Sequence, residues 1–311
     1  MMIKYIAKRL LLIIFLMMAV STVTFFLIHF VPGDPVMSIL GEGADNREVI
    51  RLRKELKLDR PISEQYLEFN RNLLNLSFGK SIFDGGNVGD NILTYLPNTM
   101  YLAVSAMALA LLISFPLGAL AALRENKILD SAVTIGSSAV LALPNFFLGP
   151  LLIILFSLEL GLLPVSGCET PAHIVLPAMT LGISLSAVLT PIIRASIGVE
   201  LEKYYVLSAR ARGLSEWNVF FRHLLKNSMI PVVTTAGMQL GALMTGTIVT
   251  ETIFSWQGIG VLLVKSIQRR DYPMVQGVTV FITFIYLFLN FLVDLSYFVL
   301  DPRIRYELEK K

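Results

Sequence analysis

The sequence predicts an all-α protein that crosses a membrane several times, and three observations carry the prediction. Apolar residues make up 55% of the 311-residue chain and charged residues only 16%, with a mean hydropathy of +0.68. A soluble domain carries about 25% charge and needs polar surface to cover its core. Six runs are apolar and long enough to cross a hydrocarbon layer about 30 Å thick, which takes about 20 helical residues. The charges gather between those runs rather than inside them. This pattern excludes a soluble enzyme, a disordered chain and a nucleic-acid binder. The net charge of +3 names no partner, and the single Cys168 leaves no intrachain disulfide.

The first span, residues 10–31, follows Lys4, Lys8 and Arg9. A basic start before an apolar run also describes a secretion signal. The apolar region of a signal runs about 7 to 15 residues, however, and this one is longer, so it reads as a retained helix. Residues 32–97 form a segment with two short amphipathic helices. Val49, Leu52 and Leu56 alternate with charges, and Ile62, Tyr66, Phe69, Leu73 and Leu76 recur at helical spacing. Such a segment is a solvated cap or a docking surface for an external partner, and the pattern leaves both open.

The second span is 99–123 and the third 128–160. The third is too long for one straight helix, and Pro144 and the Gly149-Pro150 pair predict kinks because each proline removes a backbone donor. The fourth, fifth and sixth spans are 174–197, 230–254 and 274–300. The positive-inside rule then orients the chain. With both termini in the cytoplasm, Arg124 and Lys127, the cluster Arg194, Lys203, Arg210, Arg212, Arg222 and Lys226, and Arg303, Arg305, Lys310 and Lys311 all fall inside. The short outer connections hold only Lys265, Arg269 and Arg270. The organisation is a first segment 1–31, an extracytoplasmic helical segment 32–97, a five-span core 98–300 and a cytoplasmic tail 301–311.

Chemistry is sparse. His29, His173 and His223 show no metal-ligand spacing. Gly79-Lys80-Ser81 has the ending of a phosphate loop, but Leu74 stands where that loop needs its first glycine. The span centres hold almost no ionisable groups. Glu159, Arg194 and Glu251 lie near helix ends and Asp294 toward the inner end of the last span. An ion-coupled carrier buries such groups near the midplane, so uphill transport here requires energy from elsewhere. The methionines scatter through core and lipid-type positions and read as packing.

The loop 198–231 is the informative stretch. Residues 200–212 have helical composition, Gly213 suits the position after a helix end, and Ser215 suits a helix start. Leu214, Trp217, Phe221 and Leu224 then form one stripe, and Pro231 suits the first turn of the fifth span. The result is a helix–glycine–helix elbow. Tyr205, Ser208, Ala209, Arg210, Ala211, Arg212, Gly213 and Leu214 are its candidate contact residues. Small side chains admit a partner backbone and arginines grip acidic groups. The same residues also describe a basic juxtamembrane loop.

This loop resembles the Glu-Ala-Ala (EAA) loop of ATP-binding-cassette (ABC) importer permeases, in the binding-protein-dependent branch for dipeptides, oligopeptides and nickel. Ala209 and Gly213 hold the general motif's places, while Leu207, Ser208 and Lys226 depart from it. The branch version is matched by Tyr205, Val206, Ala209, Arg210, Ala211, Gly213, Arg222, His223, Leu225, Asn227 and Pro231. Pro32-Gly33-Asp34-Pro35, Leu76 to Ser81, Leu96 to Thr99, Leu143 to Phe146, Glu251 to Trp256, Arg270 to Pro273 and Leu300 to Arg305 extend the likeness along the whole chain. Gln257 replaces a proline usual in the branch.

The resemblance implies a six-helix type I ABC importer permease in a prokaryotic inner or plasma membrane. It implies a homologous second permease as heterodimer partner, two cytoplasmic ABC ATPases that bind the ATP and magnesium, and an extracytoplasmic solute-binding protein. No cofactor or metal is expected on this chain, no catalytic role, and no nucleic-acid partner. The elbow would be the ATPase-coupling helix. The cargo it implies is a di- or oligopeptide, with nickel or a metal chelate as the alternative. A stand-alone secondary transporter or channel and an intramembrane enzyme are the competing classes; each needs groups the spans do not supply.

Overall fold

The computed structural model describes residues 2–30, 33–41 and 43–300; Pro32 and the tail 301–311, with Arg303, Arg305, Lys310 and Lys311, lie outside the described residues. In chain order the α-helices are α1 (Met2–Phe30), α2 (Pro35–Leu40), α3 (Asn46–Glu55), α4 (Ile62–Leu74), α5 (Val88–Leu123), α6 (Ile128–Leu141), α7 (Asn145–Leu152), α8 (Val175–Leu201), α9 (Tyr204–Ala211), α10 (Glu216–Asn218), α11 (Leu225–Gly246), α12 (Ile248–Ile253), α13 (Ile259–Arg269) and α14 (Tyr272–Leu300). A π-helical stretch, Ile153–Glu159, continues α7, and another, Val219–Leu224, joins α10 to α11.

Among the described residues four helices are long and apolar enough to cross a membrane: Ile6–Phe30, Val88–Leu123, Pro171–Leu201 and Tyr272–Ser296. The expected third span is not one kinked helix. The chain leaves α6 at Leu141 and restarts after Pro144, and the two arms are bent by 100°. Proline forces the residue before it out of helical geometry, so Leu143 is where the span breaks. This pair is a broken crossing or a re-entrant loop, and counting it as one span gives five. The expected fifth span is helical, as α11 and α12, but it is not among the helices that meet the length and hydropathy limits. Thr234, Thr235, Gly237 and Gln239 dilute its apolar character.

Two boundaries move. The second span begins at Val88, because Asn87 opens the helix by accepting from Gly89 N at 2.8 Å. The polar first turns hide that start from hydropathy. Pro231 sits inside α11 rather than at its start, because the π-helical stretch carries the helix unbroken out of the elbow.

The chain divides into two compact units, residues 1–99 with 257–287 and residues 100–256 with 288–311. In the first, Val88 and Ile92 of α5 pack with Ile259 and Leu262 of α13 and Met274, Val278 and Ile282 of α14. Helix α4 lies against α1 through Phe25, Tyr66 and Phe69, and the Tyr66 hydroxyl meets Thr22 Oγ1 at 2.8 Å. Asp271, ahead of α14, accepts from the Ser81 hydroxyl and from the amides of Ile82 and Met274, each of these two at 3.3 Å. The Arg270 guanidinium fills the space over Gly33, where a Cβ would fall 0.8 Å from Nη1.

In the second unit α8 is the centre, with α6, α7, α11 and α12 packed on it. Its most apolar window is 61% buried against 17% for α1, so α1 turns most of its surface to lipid or another chain. Gly118 of α5 lets that helix approach α8: a Cβ there would lie 2.8 Å from Ile193 Cβ. Small residues permit such contact where lipid tails offer no competing hydrophobic drive. Arg194 of α8 forms a fork with Asp130 of α6, its Nη2 donating to Oδ2 at 2.7 Å.

Candidate functional site

The elbow hangs from the end of α8, two turns beyond the Arg194 fork. Glu202 ends α8, Lys203 adopts extended geometry, and α9 starts at Tyr204. At its far end Gly213 takes φ +78°, a left-handed conformation that costs any residue with a Cβ. Gly213 N donates to Arg210 O at 2.9 Å and Leu214 N to Ala209 O at 3.3 Å. These two bonds make a Schellman motif, which satisfies helix-end carbonyls locally. The Ser215 hydroxyl then accepts from Asn218 N at 3.4 Å and starts α10. Both punctuation marks expected from the sequence are present.

The two limbs are strapped together. Arg210 Nε and Nη2 donate to Glu216 Oε1 and Oε2, both at 2.9 Å, a bidentate fork that fixes orientation as well as distance. The half-buried Tyr205 hydroxyl donates to Glu200, and burial first, then that bond, pushes its pKa up, so the phenol stays protonated. Arg212 Nε donates to the Ser208 carbonyl at 3.3 Å.

These bonds sort the candidate residues. Ala209 is fully buried, as is Val206 one turn earlier, and both anchor α9 to the bundle. Ser208, Arg210, Ala211, Arg212, Gly213 and Leu214 are exposed. The outward face also carries Tyr204 at 88% exposure and Leu207 at 64%, neither of which the sequence reading singled out as a contact. On the other limb Trp217 is 72% exposed and stacks near Phe221 with ring centroids 4.4 Å apart. Leu224 of the expected stripe is buried, so the stripe splits between the core and the surface. A cleft of about 260 Å³ beside the elbow is lined by Phe115, Leu120, Leu201, Trp217 and Phe221, together with the Arg210–Glu216 fork.

No Cβ placed on Gly213 would meet anything within 4 Å. The elbow is a turn whose backbone is satisfied locally, with an apolar and cationic outer surface. Among the described residues no group of three His, Cys, Asp or Glu side chains is placed to hold a metal ion. The sequence reading gave no structural role to two acids: Asp130, and Asp271 within the Arg270–Pro273 stretch. Asp130 braces α6 to α8 and Asp271 ties two distant loops; the available signal was a carboxylate in the first turn of α6 and one just ahead of α14.

The family model for "Binding-protein-dependent transport system inner membrane component" matches residues 114–306, and that for "Binding-prot-dependent transport system membrane comp, N-term" matches residues 2–103. The glutathione transport system permease protein GsiC of Escherichia coli strain K12 is 38% identical over 307 residues, covering 98% of this chain and 100% of that protein. GsiC of Shigella flexneri serotype 5b is similar to the same extent. Among solved structures, a chain from the crystal structure of an amino acid ABC transporter with histidines aligns over 67% of this chain and 93% of its own, with a TM-score of 0.53 at 15% identity. That likeness carries the fold.

Proposed function

Because the chain belongs to the binding-protein-dependent transport system inner membrane components, as a permease subunit of an ATP-driven importer, we propose that its cargo is a short peptide and that the elbow takes the stroke from an ATPase. The cargo reading is supported by the glutathione permeases it resembles, since glutathione is itself a small peptide-like anion. In this reading a second, homologous permease completes the path. Two cytoplasmic ATPases bind ATP and magnesium, and a solute-binding protein delivers cargo from outside. In this reading the termini and the elbow face the cytoplasm, which the basic residues of the inner connections support.

The observation that carries the mechanism is the outward row Tyr204, Leu207, Ser208 and Ala211 on a helix whose inner face is Val206 and Ala209. Exposed apolar side chains beside a fixed turn mark a protein contact. The Schellman motif and the Arg210–Glu216 fork make α9 and α10 move as one piece. A push on α9 then passes into α8 at one end and, through the unbroken helix, into α11 at the other. A bulky residue on the outer face tests this: Ser208→Trp should abolish cargo-stimulated ATP hydrolysis in the reconstituted transporter while the chain still folds. Unchanged stimulation would remove the elbow from the mechanism.

A further inference from the structure

The first unit holds a cavity of about 490 Å³ that the elbow does not involve. Its size lies within the roughly 300–1,000 Å³ of small-molecule sites. Among its lining residues is Gln276, in the second turn of α14, which is only 5% exposed. The Gln276 side-chain amide has no hydrogen-bond partner among the described residues, and the residue lines the cavity. An unpaired primary amide in a span is costly unless something polar visits it.

The charges of the lining are unequal. Glu68 is tied to Lys57 and Arg60, and Glu55 to Arg51. Lys80 is exposed and makes no ion pair among the described residues. Its backbone is fixed all the same, by the bridge to Asn87 and by the Ser81–Asp271 bond next to it. Phe69, Phe78 and Tyr272 supply an aromatic wall. Among the described residues of the lining, one cation without an ion pair (Lys80), two side-chain amides without a hydrogen bond (Asn72 and Gln276), each able both to donate and to accept, and aromatic surface together match an amide-bearing anion.

We propose that this cavity receives a short peptide with a free C-terminal carboxylate, which rests on the reading above that the cargo is a peptide and that this end of the chain faces outward. Lys80 takes the carboxylate, Gln276 pairs with a peptide group, and the aromatic wall takes a side chain. The test uses the whole transporter, purified through a tag on this chain, in nanodiscs and without the solute-binding protein. The probes are radiolabelled L-alanyl-L-alanyl-L-phenylalanine and its C-terminal amide in equilibrium dialysis.

The free acid should bind saturably and about tenfold more tightly than the amide. Lys80→Ala, at an exposed position, should erase that preference. Gln276→Met should weaken both probes without lowering the thermal midpoint. Absence of saturable binding, or a preference that survives Lys80→Ala, would overturn the site. So would photo-crosslinks from position 80 that reach only the solute-binding protein, since the cavity would then seat a loop of that partner. Tripeptide uptake by the complete system without dialysis binding defeats the cavity alone; failure of both uptake and binding defeats the peptide reading with it.

Discussion

The elbow around Gly213 and the junction around Asp271 are both short runs punctuated by glycine and charge, and they use their side chains in opposite ways. At the elbow the backbone is satisfied by its own turn, and Tyr204, Leu207 and Trp217 stand 88%, 64% and 72% exposed. At the junction Ser81 and Asp271 are each only 3% exposed, and their polar atoms are spent on one another and on nearby amides. Density of motif residues therefore does not separate an exposed elbow from a structural clasp. What differs is where the polar groups find partners: at the elbow within the turn and its own Arg210–Glu216 strap, leaving Tyr204, Leu207 and Trp217 outward, and at the junction with buried groups far along the chain.

The largest expected effect breaks the comparison on the elbow side. Ala211→Trp adds bulk to an exposed surface of the elbow. Transport by the reconstituted system should fall more than about tenfold, with the thermal midpoint of the purified transporter unchanged. A drop in midpoint equal to that of a core mutant would mean that Ala211 is packed, and the elbow would join the junction as a structural element.

The reverse pattern is expected at Asp271. Replacing it by alanine strips three donors of their acceptor: the Ser81 hydroxyl and the amides of Ile82 and Met274. Each buried donor left unpaired costs about 1–3 kcal/mol. Asp271→Ala should therefore lower stability, seen as earlier thermal unfolding and faster amide exchange at 77–88. Transport per folded transporter should hold. A transport loss without a stability loss would make the junction a working part.

Much of the elbow was legible because its determinants are local. Gly213 and Ser215 announce a helix end and a helix start within three residues, and the turn needs nothing from elsewhere. Which side of α9 faces out was not legible. Val206 and Ala209 are no more apolar than Leu207 and Ala211, and only packing against the bundle chooses between them. The Asp271–Ser81 bond joins residues 190 apart in sequence and the Arg194–Asp130 fork residues 64 apart. No window along the chain contains both partners. The break at Leu143 was half legible: proline predicts an interruption but not a 100° turn.

A smaller effect belongs to Gly213 itself. Alanine there meets no atom within 4 Å, so its cost is the left-handed conformation alone, about 1–2 kcal/mol. Gly213→Ala should fray the end of α9 and reduce coupling by a few fold, well short of Ala211→Trp. Equal losses from the two would show that a partner backbone lies directly on the glycine, where even a methyl group is too large.

The smallest effect sharpens the junction by titration. Asp271 lies just ahead of the Tyr272–Ser296 span, and burial pushes its pKa above the ordinary 3.8, against the pull of Ser81, Ile82 and Met274. An acid whose folded pKa is raised contributes most below its unfolded pKa, and that contribution is lost as pH rises through the folded value. Between 3.8 and the raised value, acidification should therefore tighten the clasp. Amide exchange at Ile82 and Met274, corrected for its intrinsic pH dependence, should slow as pH falls through that window. Asp271→Asn keeps an acceptor for the Ser81 hydroxyl and removes the titration, so its profile should be flat. Faster exchange on acidification in the native chain would mean that the bonds from Ser81, Ile82 and Met274 outweigh burial and favour the ionised carboxylate.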